Sequence, residues 1–264
     1  MKAWSTYQNR IKAHGGTKRS AAHIREVRLI ESRLPDNLSY KTVSIYPCEY
    51  SYNIQASPSI DNCTSQEVAI IDTDNLSEKI IYSMPGEDIA LGSLVLWKSN
   101  YWIVSERDAN TTLYTKAKLL QCNHLLRWIV DSEIIEQWCV VEDGTKYLVG
   151  ESENRDFTAT RGDTRISLQI AKNKYTNAFN RENRFLIDDD DSPHKLAYQL
   201  TKPYKKGYVF NGKGSYKFIL QEVTATEYDN HKLGIADYYR YFSKQNTDSN
   251  NEGDDIKNEK RGWI

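Results

Sequence analysis

The sequence predicts a mainly β protein. It has an N-terminal helical segment, then a β-barrel or sandwich domain, then a second, smaller β-domain. Three observations carry this. Eighteen Tyr and six Trp stand in 264 residues, and aromatic side chains fit the pleated, half-buried surface of a strand. From Ser39 onward, short apolar runs alternate with turn residues at close spacing, the pattern of a barrel or sandwich. Helical periodicity is read only within residues 1–38.

Residues 4–13 form a short helix that ends at Gly15-Gly16, a strong breaker. Thr17 caps a second helix that runs to about Leu34 and stops at Pro35. At 100° per residue, His23, Ile24, Val27, Ile30 and Leu34 share one side, while Arg25, Arg28 and Ser32 gather on another, with Lys18 and Arg19 near the start. Val43 and Ile45 then alternate with polar neighbours, and Tyr46, Tyr50 and Tyr52 continue in even register, which reads as a strand. Residues 53–65 read as a loop. Val68–Ile71 and Lys79–Tyr82 are short strands.

The densest apolar stretch runs from Pro85 to Trp128. Leu94-Val95-Leu96-Trp97 and Tyr101-Trp102-Ile103-Val104 flank a polar break at 98–100, a length that suits a hairpin. Both runs are apolar on successive residues, so both faces of this hairpin should be covered. Further strands follow at 113–120, 125–128 and 134–141, with a turn at Glu142–Thr145 leading to a strand at 146–149. The polar run from Gly150 to Asp156 marks the boundary between a first β-domain, 39–150, and a second, 151–242. Ile166, Leu168 and Ile170, then 184–187, 196–200, 208–210 and 216–223 supply the strands of the second. Residues 243–264 read as a polar flexible tail.

Composition narrows the function. Thirty-five Lys and Arg against thirty-six Asp and Glu give a net charge of −1, which disfavours a dedicated nucleic-acid binder but permits a local basic face. The four cysteines show no CxxC spacing and read as buried thiols in a reducing compartment, with neither metal nor cofactor expected. A signal peptide and a membrane span are not expected. Asp188–Asp191 with His194 lacks EF-hand spacing and reads as a solvated acidic turn. Cys122-Asn123-His124 is not a nucleophile pair, and Arg161-Gly162-Asp163 is ordinary turn chemistry. No Walker A, GxGxxG or GxSxG pattern is present. The chain is therefore expected not to be an enzyme.

The order of several segments resembles structural proteins of tailed bacteriophages that infect Gram-positive bacteria. They are the basic helix at 17–34; Pro85-Gly86, Gly92–Trp97 and Trp102–Val104; Leu119–Trp128; Asn183–Asp188; and Asp229–Tyr238. The resemblance implies a non-enzymatic virion protein of the head-to-tail connection, of neck, head-closure or adaptor type. It implies a homo-oligomeric ring, six- or twelve-fold, between a portal or adaptor protein and tail proteins, with passing contact to packaged double-stranded DNA. Assembly would take place in the bacterial host cytoplasm, without a membrane. No active site is implied. The expected partner-binding residues are Arg19, Arg25, Arg28, Tyr238, Tyr239 and Tyr241. The rival reading is a tail-associated β-protein that binds a carbohydrate or receptor through clustered Trp and Tyr.

Overall fold

The computed structural model describes residues 2–13, 15–54, 62–108, 113–143, 164–189, 191–205 and 208–242. The fold is mainly β, as the sequence predicts. Among the described residues, two helices, α1 (Lys2–Ala13) and α2 (Lys18–Arg33), precede thirteen strands. The Gly16 and Gly15 amides donate to Ile11 O and Lys12 O, closing α1 with the paired bonds of a Schellman motif. Thr17 caps α2 as expected, its hydroxyl accepting from the Ser20 amide at 3.1 Å.

Six strands close into a small barrel in the order β1 (Tyr40–Tyr46), β2 (Thr64–Asp72), β3 (Glu78–Ser83), β6 (Lys116–Gln121), β5 (Asn100–Asp108), β4 (Leu94–Trp97). Closure leaves no free sheet edge. Val43, Ile45, Val68, Ile81, Val95, Trp102, Val104 and Leu119 fill the interior. The Tyr50 and Tyr52 part of the predicted strand is different. Pro47 ends β1, Cys48–Tyr50 form a 3-10 turn, and Tyr52 bridges to Gln137 outside the barrel.

The second sheet has the order β10 (Arg184–Ile187), β11 (Leu196–Lys202), β13 (Lys213–Val223), β9 (Arg165–Ala171), β8 (Glu133–Asp143), β7 (His124–Val130), with β12 (Val209–Phe210) paired to β13. It curls until β7 approaches β10. Phe179 sits in its core, 5.1 Å from Trp128 and 5.0 Å from Phe185 by ring centroid.

This topology corrects the domain boundary. Residues 124–143 belong to the second sheet, so the chain leaves the barrel at Cys122-Asn123 and not at Gly150. The polar run at 150–156 falls between β8 and β9 of one sheet. It lies outside the described residues, as do the predicted strand at 146–149, the Arg161–Asp163 tripeptide and the tail from 243.

The β4–β5 hairpin is covered on both faces, as expected. Trp97 pairs with Asn100, and Lys98-Ser99 turn with φ of 48° and 64°, the geometry of a two-residue type I′ turn. Val95 and Trp102 point into the barrel. Leu94 and Ile103 point out, against Tyr46, Cys48, Ile54, Cys122, Val140 and Ala171. That outer cluster cements the barrel to the second sheet.

A polar network completes the joint. Buried Gln137 donates to Ser51 Oγ and Ala171 O, and accepts from Asn173 Nδ2 at 2.7 Å. The Gln137 amide thereby has partners for both its nitrogen and its oxygen, without which its burial would be costly. Gly92, at φ +78°, brings the two units into backbone contact: a Cβ added there would lie 1.8 Å from Gly214 O.

Candidate docking surfaces

Two surfaces stand out from this body: the helical arm formed by α1 and α2, and the segment after β13.

The arm is amphipathic and barely covered. In α2, Ile24, Val27 and Ile30 are half-buried, as is Leu34 at its C-terminal cap, and none of the helix is buried. In α1, Trp4, Tyr7 and Ile11 recur at spacings of three and four residues and so share one face. They are 64%, 55% and 38% exposed, and Trp4 stacks on Tyr7 at 5.6 Å. Sequence reasoning missed this stripe, which its spacing alone would have revealed. Arg19, Arg25 and Arg28 are exposed on α2. Residues 2–33 hold eight Lys and Arg against two Glu, a net +6; since the chain totals −1, residues 34–264 carry −7. The arm is therefore a basic, apolar-striped element on a chain whose remaining residues sum to a negative charge.

The segment from Thr224 to Phe242 folds back as a hook. Ala236 packs on Leu186, Ala197 and Val223, the face of β10, β11 and β13 opposite the core. Its anchor is Arg184, at the start of β10. The guanidinium donates bidentately to Asp229 at 3.1 and 2.9 Å, and also to Asp237 Oδ1 and to Thr224 O. The Asp229 side chain is fully buried and accepts from the Thr226 and Asp237 amides. On the other edge of the sheet, Arg127 of β7 donates to Leu233 O. The hook thus ties β7 to β10 across the seam where the sheet does not close.

Burial alone would push the Asp229 carboxyl up. The Arg184 hydrogen bond, the Asp237 and Thr226 amides and the Arg184 charge outweigh that and hold it below the usual carboxylate range. A depressed native pKa gives stability that is full above the unfolded value of about 3.9 and is lost as pH falls through the native value. Melting temperature against pH should therefore show an acid limb below about pH 4 that is diminished in Asp229→Asn.

The predicted tyrosines all lie on the hook. Tyr238 is half-buried, 4.6 Å from the Phe242 ring, while Tyr239 and Tyr241 are 46% and 48% exposed. The structure gathers the arginines on one helix and the tyrosines on one hook, and does not merge them into a single site. Arg184, Asp229 and Asp237 escaped the sequence reading as a set because they lie 45 and 53 residues apart.

Other candidates take ordinary places. Burial pushes the Cys122 and Cys139 thiols up, away from the reactive thiolate. Among the described residues, no three His, Cys, Asp or Glu side chains converge as metal ligands, and no helix is long and apolar enough to cross a membrane. The Asp188–Asp191 turn has a structural partner: buried Lys195 donates to Asp189 O at 2.6 Å. An open groove of about 460 Å³ on the barrel wall is lined by Glu78, Glu106, Arg107, Asp108, Lys116 and Lys118. Its Lys118 pairs with Glu78, and its Arg107 with Asp88. Trp102 and Trp128 are core residues, not a sugar platform. No family model, curated protein or solved structure matches the chain.

Proposed function

We propose that this chain is a non-enzymatic structural subunit that assembles through its helical arm, at the head-to-tail connection of a tailed phage as the sequence resemblance implies. The observation that supports an assembly role is the arm itself. Two helices carry an apolar stripe and a +6 charge, yet bury no α2 residue against their own body. Helices this short derive most of their stability from packing, so such an arm is completed by a neighbour. The body behind it is stiff, with a closed barrel fused to a second sheet by apolar and polar contacts. Stiffness suits a ring subunit, whose contacts must repeat at fixed angles. The near-neutral charge also suits a channel that DNA must pass through, since each phosphate neutralised by Lys or Arg tightens binding.

Arg25→Glu with Arg28→Glu tests the docking role. These side chains are exposed, so the variant should fold with an unchanged melting temperature while its incorporation into phage particles falls at least about tenfold, the scale of rim-charge reversal at an interface. Full incorporation of the folded variant contradicts the reading.

A further inference from the structure

We propose that His194 and His231 form a transition-metal clasp, in which the two imidazoles bind one divalent ion of the zinc class and so tie the C-terminal hook to the turn before β11. The clasp is independent of the assembly role.

The two rings lie 5.8 Å apart by centroid, at 77° to each other. With metal–nitrogen bonds of about 2.0–2.1 Å, two imidazoles on one tetrahedral ion bring their ring centres to about 5–6 Å, so the observed spacing needs little adjustment. His231 Nδ1 is buried and has no hydrogen-bond partner. A buried polar atom without a partner calls for an explanation, and a bound ion is one. The other such atoms among the described residues are the Nε1 groups of Trp102, Trp128 and Trp138, and Gln66 Oε1. The indole groups are donors and ligate no cation, whereas His231 stands beside a second imidazole. His194 is exposed, so its ring can turn to admit the ion.

Both rings are carried on braced turns, which pre-position a ligand pair. Ser192 Oγ donates to His194 O at 3.2 Å, and Lys195 donates to Asp189 O. In the hook, Asn230 and Ile235 exchange two backbone hydrogen bonds around His231, and the Gly234 amide donates to His231 O at 3.3 Å. The two turns touch: the Lys195 stem passes 3.6 Å from where a Cβ on Gly234 would lie. Asp188, Asp189 and Asp191 on the same turn offset the Lys195 charge. Imidazole ligands select zinc, nickel or copper over calcium and magnesium, which take oxygen. Among the described residues no group of three His, Cys, Asp or Glu ligands is present, so water completes the coordination. Two protein ligands make a clasp and not a closed structural site, which takes four.

The test is calorimetric titration of the full chain with zinc chloride, joined to hydrogen exchange. One ion should bind per chain. His194→Ala and His231→Ala should each weaken binding at least about tenfold, the loss that follows removal of even an outer-shell partner. At about ten times the dissociation constant, zinc should slow exchange across the hook about tenfold, because it binds the docked hook and not the open one. In His194→Ala, whose altered side chain is exposed, the metal-free melting temperature should hold and the slowing should vanish. Pulsed electron paramagnetic resonance of the copper-loaded unmodified chain should show two imidazoles on one ion; a single imidazole overturns the pairing without recourse to any variant. Absence of zinc binding overturns the clasp. So does binding that both variants retain, which marks an adventitious ion only, and so does binding that leaves hook exchange unchanged. None of these results bears on entry into phage particles, so the assembly role stands or falls separately.

Discussion

Gly92→Ala should destabilise the protein by more than about 3 kcal/mol, at the severe end for one methyl group. Two costs combine. Gly92 lies at φ +78°, where an L side chain is strained by roughly 1–2 kcal/mol. Its added Cβ would also meet Gly214 O at 1.8 Å, and that oxygen accepts the Lys172 amide. Neither backbone can yield without parting the barrel from the second sheet. Urea denaturation reads the loss. Gly86→Ala is the control, since it has similar φ but open space around its Cβ, and it should cost only the conformational part. Equal losses in the two variants would contradict the close approach as the cause.

Arg184→Met should cost about 3–5 kcal/mol, because it strands the Asp229 carboxylate, fully buried, without its counter-charge. The damage should be local first. Hydrogen exchange should speed up across residues 224–242 while the barrel amides of β1 to β6 keep their protection. Replacing both partners, Arg184→Met with Asp229→Leu, should cost less than the single change, since no isolated charge then remains. A single variant as stable as the unmodified chain would mean that the Ala236 contacts and the Arg127 bond to Leu233 O hold the hook without the Arg184–Asp229 pair.

The parts of the fold that were legible in the sequence were those set by local pattern. Thr17, Gly15-Gly16 and Pro35 gave the helix ends because capping and breaking act over three or four residues. The 94–104 hairpin gave both its turn and its two covered faces, because consecutive apolar residues have no solvent side to offer. The domain boundary was misplaced for a physical reason. The barrel passes to the second sheet in the two residues Cys122-Asn123, and Asn123 is itself stitched to Val141 by two hydrogen bonds. A crossing that short, within apolar strands, leaves no compositional mark. The conspicuous polar run at 150–156 belongs between two strands of one sheet.

The same distinction governs the surfaces. The basic face of α2 follows from its periodicity. The hook depends on Arg184 meeting Asp229 and Asp237 after three intervening strands, and no local pattern reports such a meeting. A clue was nonetheless present: an arginine opens the apolar run Arg184-Phe185-Leu186-Ile187, and a charge drawn against a core needs a partner.

The proposed role is tested most directly by cryo-electron microscopy of tailed-phage particles purified from cells that express this sequence. The account predicts copies of the double-β body in a ring at the head-to-tail connection, each with its N-terminal helices on a neighbouring subunit. Virions lacking the protein, or a ring in which the helices touch nothing beyond their own body, would contradict it.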